Sequence, residues 1–120
     1  MDTLPVQSYR ELTIWRRAVE LCVAIYGITQ VFPRDEIYGL TNQLRRASVS
    51  IPSNIAEGYG RLSSEQYRHF LGIARGSNFE LQTQLEIARQ LGFGSQPDID
   101  KAEGLSFEVG KMLTAMLKKL

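Results

Sequence analysis

The sequence predicts an all-α fold, an antiparallel up-down-up-down four-helix bundle. Apolar residues recur three and four positions apart almost throughout, and no segment shows the strict alternation of a half-buried strand. Residues that end or restart helices cluster at Pro33, around Gly58 to Arg61, and at Gly92 to Asp100, which leaves long periodic segments between short connections. Short connections make consecutive helices antiparallel neighbours. A chain of 120 residues suits one domain with a real core, and no linker, repeat or low-complexity tract divides residues 1–120. The periodicity places the helices at about 11–31, 34–57, 64–91 and 97–120.

The first helix carries two neighbouring stripes: Leu12, Trp15, Val19, Cys22, Tyr26 and Thr29 lie beside Ile14, Ala18, Leu21, Ile25, Ile28 and Phe32. So wide an apolar face predicts burial on more than one side. Pro33 suits the first turn of the second helix, with Asp35 and Glu36 at the positive end of its dipole. That helix should bury Leu40, Leu44, Ala47, Ile51 and Ile55. Pro52 removes the N–H that would bond the Ser48 carbonyl, which predicts a kink relieved by Ser48 or Ser53, before Gly58 and Gly60 end the helix.

Ser63 followed by Gln66 resembles a capping box for the third helix, with Ser64 the alternative cap. Its core stripe is Tyr67, Phe70, Leu71, Ala74, Leu81, Leu85 and Ala88. Gly72 and Gly76 leave a flat patch on another face, and because each costs about 1 kcal/mol in a helix interior, a close approach by a second backbone is the expected offset. Gly92 and Gly94 close this helix. The fourth should bury Ile99, Ala102, Val109, Met112, Leu113, Met116, Leu117 and Leu120.

Fourteen basic against thirteen acidic residues leave a net charge of +1, without the excess typical of dedicated nucleic-acid binders, so any such binding must come from local clustering. All ten arginines precede Gly92, and the four lysines lie between Lys101 and Lys119. Arg favours bidentate contact with phosphate or carboxylate, and Lys more often solubilises a surface. The single cysteine, Cys22, excludes an intrachain disulfide, and Met1 to Pro5 lacks the basic and apolar regions of a signal peptide, so the expectation is a cytoplasmic protein. No apolar run approaches the ~20 residues that span a bilayer.

No catalytic, cofactor or metal site is expected. His69 and Cys22 stand alone on different helices, short of the three or four ligands a metal needs. The Glu-x-x-His motif of di-iron bundles is missing, since Gln66 stands three before His69 and Glu65 one position too early. Asn54, Glu57 and Arg61 form a polar group at helical spacing but offer no nucleophile with an adjacent base, so Glu57 is expected in an ion pair and Asn54 on backbone near Pro52.

The candidate nucleic-acid contacts are Arg45, Arg46, Arg61, Arg68 and Arg75, with Tyr59 and Tyr67 as stacking surfaces. Arg45 and Arg46 also suit ion pairs with Glu57, Glu80 or Glu86 that hold helices or subunits together. Arg68 and Arg75 share a face with only Glu65 within one turn, which makes them the better exposed basic strip.

Several further stretches are distinctive: Leu12-Thr13-Ile14-Trp15 with Ala18, Tyr26 before Phe32-Pro33, Tyr38-Gly39-Leu40-Thr41 with Gln43-Leu44-Arg45-Arg46-Ala47, the run from Ser50 to Arg61, and Phe70-Leu71 through Gly76-Ser77 to Glu80 and Leu85. In these, nearly the whole chain resembles the bacterial 23S rRNA-intervening sequence proteins. The resemblance implies a four-helix bundle that assembles into a ring, a homopentamer. Some members of that family are encoded inside insertions in large-subunit rRNA genes, and a related accessory protein of diversity-generating retroelements partners a reverse transcriptase and nucleic acid. The function expected on this basis is a non-enzymatic, homo-oligomeric adaptor for RNA or DNA. The alternative is a protein-interaction scaffold for a partner enzyme with no nucleic-acid role, which the wide apolar face of the first helix motivates.

Overall fold

The computed structural model describes residues 8–120. The Met1 to Pro5 segment lies outside them. Among the described residues there are four α-helices and no strand: α1 (Thr13–Thr29), α2 (Leu40–Tyr59), α3 (Ser64–Leu91) and α4 (Gln96–Lys119), with 3-10 turns at Tyr9–Glu11 and Arg34–Glu36. The molecule is elongated, 51 × 28 × 20 Å.

The second helix begins at Leu40, not near residue 34 as the sequence suggested. Pro33 opens a 3-10 turn, in which Glu36 N bonds Pro33 O at 3.0 Å and Ile37 N bonds Arg34 O at 3.2 Å. Glu36 then caps α2 from outside, its Oε1 accepting from Leu40 N at 2.9 Å. An acid expected to favour the helix dipole from within the first turn instead satisfies one of the unpaired N–H groups that every helix start presents. The starts of α3 and α4 and the end of α3 follow ordinary capping chemistry. Ser63, and not Ser64, caps α3 by accepting from Gln66 N at 3.1 Å, and Ser95 caps α4 by accepting from Asp98 N at 3.3 Å. Gly92 closes α3 at φ 74°, with Phe93 N returning to Ala88 O at 3.0 Å, the left-handed cap that glycine adopts without penalty.

Each helix contributes one buried stripe to a shared core: Ile14, Leu21 and Ile25 from α1, Leu44, Ile51 and Ile55 from α2, Leu71, Leu81 and Leu85 from α3, and Ile99, Val109 and Leu113 from α4. The second stripe of α1 is not core. Trp15, Val19 and Cys22 are half-buried and Tyr26 is exposed, although Thr29 is buried. Tyr67, Phe70, Met112, Met116 and Leu117 are likewise half-buried, and Leu120 is exposed.

Helix α1 packs on α2 and α4, and α3 packs on the same two, with the most extensive contact between α2 and α3. Cross-helix pairs rise in number on one helix as they fall on its neighbour. Cys22 and Thr29 meet Ser48 and Arg45; Ser50 meets Ser77 while Gly58 faces Phe70 and Tyr67; Arg68, Asn78 and Arg89 meet Leu117, Ser106 and Glu103.

Helix α2 continues through the buried Pro52. Ser53, the alternative the sequence offered, is exposed. The Ser48 hydroxyl donates to Arg45 O at 2.8 Å and the Asn54 amide to Ser50 O at 2.8 Å and Ser50 Oγ at 3.0 Å, bonds that lie beside the Ser48 carbonyl rather than on it.

Candidate nucleic-acid interface

Between α3 and α4 the surface opens into a groove of about 580 Å³ with Phe79 on one wall and Phe107, Lys111 and Lys118 on the other. The rings are unusually open for phenylalanine, at 48% for Phe79 and 50% for Phe107. Gly110 and Ala115 add little bulk, and no Asp or Glu lines the groove. Arg75 stands at its edge, with its guanidinium over the Phe79 ring at 4.8 Å and its Nε donating to Thr114 Oγ1 at 3.4 Å. Two helical turns earlier on α3, Arg68 donates to the Leu117 carbonyl at 2.7 Å. Arg68 and Arg75 therefore lean on α4, where they join two lysines that the sequence had suggested only as solubilising charge.

The acids of α4 nearest this face are turned elsewhere. Glu108 receives Arg17 of α1 at 2.6 Å, and Glu103 receives Arg89 at 3.1 Å. Arg89 also holds Glu86 at 2.6 Å and Asp100 at 2.9 Å, so one guanidinium gathers three carboxylates at the α3 to α4 turn. These contacts hold the Arg89 pKa above its usual value. Glu86 falls below the usual carboxylate value because the Gln90 amide and the Arg89 guanidinium both donate to it.

The other candidates separate from this strip. Arg45 is half-buried between α1 and α2, with Nε on Thr29 Oγ1 at 2.9 Å and its guanidinium over the Tyr26 ring at 4.7 Å. Neither Arg45 nor Arg46 pairs with Glu57, Glu80 or Glu86 among the described residues. Glu57 is taken by Arg61 at 2.7 Å and Glu86 by Arg89. Arg61 also lies over the Phe70 ring at 4.8 Å. Arg46 and Glu80 line a separate polar groove of about 360 Å³ between α2 and α3, with Ser50, Ser77 and Gln84. There the two serine hydroxyls share a hydrogen bond of 2.8 Å.

Tyr67 is not an open stacking surface. It packs on Gly58 and meets Tyr59 edge-on, with ring centroids 6.3 Å apart, and burial followed by its neighbour Tyr59 raises its hydroxyl pKa. Gly72 and Gly76 are also not where two helices come close within the chain, because a methyl group at either would touch nothing within 4 Å. The close approach is at Gly58, where a Cβ would stand 2.9 Å from Phe70 Cβ and 3.0 Å from Tyr67 Cδ1.

The sequence reading missed Phe79, Phe107, Lys111 and Lys118. The available signal was the i,i+4 spacing of Arg75 with Phe79 and of Phe107 with Lys111, which places cation and ring side by side on each helix. Cys22 Sγ lies within hydrogen-bond distance of Ser48 Oγ, at 3.4 Å, and His69 stands edge-on to Phe70. Among the described residues no three His, Cys, Asp or Glu side chains are grouped to hold a metal, and no helix is long and apolar enough to cross a membrane.

Residues 10–115 match the family model of the 23S rRNA-intervening sequence proteins. The chain belongs to this family. A solved structure from Bacteroides thetaiotaomicron, described as a protein with unknown function from the S23 ribosomal protein family, superposes with a TM-score of 0.80. It is 21% identical and covers 88% of this chain and 99% of its own, a likeness of fold alone. None of the proteins of curated function compared with the chain is similar to it. Neither description indicates an enzymatic activity.

Proposed function

We propose that this member of the 23S rRNA-intervening sequence family is a non-enzymatic adaptor that binds RNA or DNA through the α3/α4 groove. The observation that carries the reading is the lining: two open phenylalanines and two lysines, with Arg75 at the edge and no carboxylate. Cations without acids attract phosphate, and exposed rings offer surfaces that bases can use. The order of the cross-helix pairs supports an up-down-up-down bundle. Assembly into a ring of five copies would repeat the strip around one particle, so that avidity offsets the near-neutral net charge. A cytoplasmic site of action accords with such a ligand.

Fluorescence anisotropy of the purified oligomer against labelled RNA and duplex DNA, across a salt series, tests this. Affinity should fall steeply with salt, and Arg75→Glu with Lys111→Glu should remove it while circular dichroism and sedimentation stay unchanged. Binding that survives in the folded double variant would reject the groove as the site.

A second reading, a scaffold for a partner protein, has its own observation. Val23, Tyr26 and Val49 are exposed apolar side chains on α1 and α2, and Tyr26 and Val49 line a shallow groove there beside Arg45 and Arg46. A partner retained from native extract after nuclease treatment, and lost in Val23→Asp with Val49→Asp, would favour it.

A further inference from the structure

We propose that the α3/α4 groove takes the unpaired bases of single-stranded nucleic acid, with Phe79 and Phe107 as the stacking surfaces. The inference rests on the nucleic-acid reading above and adds which form of the polymer is bound and by what contact. Charge alone would be served by cations on a flat polar face. This face instead places a half-exposed ring on each of two helices across one groove of about 580 Å³. The groove is open along one side, which suits a chain lying across it more than an enclosed ligand.

The surroundings fit a base better than they fit a second apolar surface. Lys111 and Lys118 line the groove, and the Arg75 guanidinium covers one face of the Phe79 ring, adding a cation to that side. Gly110 and Ala115 add little bulk to the lining. An apolar partner would have to desolvate these cations, whereas a polynucleotide brings phosphates to them while its bases reach the rings. A duplex cannot use the rings in this way, because its bases are stacked on one another and only its backbone and groove edges are presented. Stacking is tolerant of sequence, since every base has a flat face, so little base preference is expected.

The test compares three labelled probes of equal length on the intact oligomer: an unstructured 12-nucleotide strand, the same sugar-phosphate chain with abasic sites, and a 12-base-pair duplex. The strand should bind about tenfold or more tighter than the abasic chain, which carries the same charge. Phe79→Ala and Phe107→Ala, both at exposed positions, should each erase much of that advantage and leave the salt dependence unchanged. Equal affinity for strand and abasic chain, or tighter binding of the duplex, would overturn the inference and leave the adaptor reading standing. A change of sedimentation in the Phe variants would also overturn it, by showing the groove to be a contact between copies. No binding of any probe at low salt would remove both proposals together.

Discussion

Asn78 and Ser106 exchange two hydrogen bonds in the interior: Asn78 Nδ2 donates to the Ser106 carbonyl at 3.0 Å, and Ser106 Oγ donates back to Asn78 Oδ1 at 2.7 Å. Both residues are fully buried, and Gln82 Nε2 completes the set by donating to Ser106 Oγ at 3.0 Å. The network fixes how α3 lies along α4, because a slide by one turn would strand every one of these groups. Asn78→Leu should destabilise the protein by about 2–3 kcal/mol by leaving buried partners unpaired. Adding Ser106→Ala should cost less than the two single losses summed. Urea unfolding at fixed protein concentration reads both.

Glycines on α2 and α3 should respond to alanine in opposite directions. Gly58→Ala would press a methyl onto Phe70 and Tyr67, and the loss should be about 1–3 kcal/mol as the α2/α3 contact opens. Gly72→Ala and Gly76→Ala meet nothing within 4 Å and should each stabilise the chain by up to about 1 kcal/mol. A stability loss at Gly72 or Gly76 would show that another copy packs there in solution.

The Glu86 carboxyl is held below the ordinary glutamate range by Gln90 and then Arg89. A depressed carboxyl stabilises the fold in full above its unfolded pKa and loses that contribution as pH falls through the folded one. Glu86→Gln should therefore lower the melting temperature at pH 7. The gap from the parent should narrow as pH falls below about 5 and close under acid conditions. Melting curves across a pH series check the sign.

If Lys111 and Lys118 contact phosphate, each should appear in the salt dependence of binding. Lys111→Gln and Lys118→Gln should each reduce the slope of log affinity against log salt by about 0.7 for a single strand. Lys101, which lies beside Asp98 near the opposite end of α4, should leave the slope unchanged when replaced by Gln.

The fold was largely legible in the sequence because a helix announces its buried stripe by spacing. The core positions from Ile14 to Leu113 follow the expected stripes on all four helices. The start of α2 was misread because Pro33, Asp35 and Glu36 make an equally good first turn, and only the bond from Leu40 N to Glu36 Oε1 distinguishes a cap from a turn. The site was less legible. Arg68 and Arg75 were recognisable as one face, but which acids would be drawn off by other partners depends on contacts as distant in sequence as Arg17 with Glu108. Phe79 and Phe107 read as ordinary apolar residues, since nothing local says that no third helix covers them.

Helix α3, with 28 residues, is about 42 Å long, against about 25 Å for the 17 residues of α1. Because Arg17, in the second turn of α1, already meets Glu108, the last stretch of α4 and the first of α3 run on beyond the start of α1. That overhang has fewer neighbours to hold it than the middle of the bundle, so its amides should exchange with solvent by small local openings that the centre does not share. Arg68, Lys118 and Lys119 ride on this looser end. A polyanion seated in the groove and reaching these tips would be felt there as a stiffening that the middle of the bundle does not show.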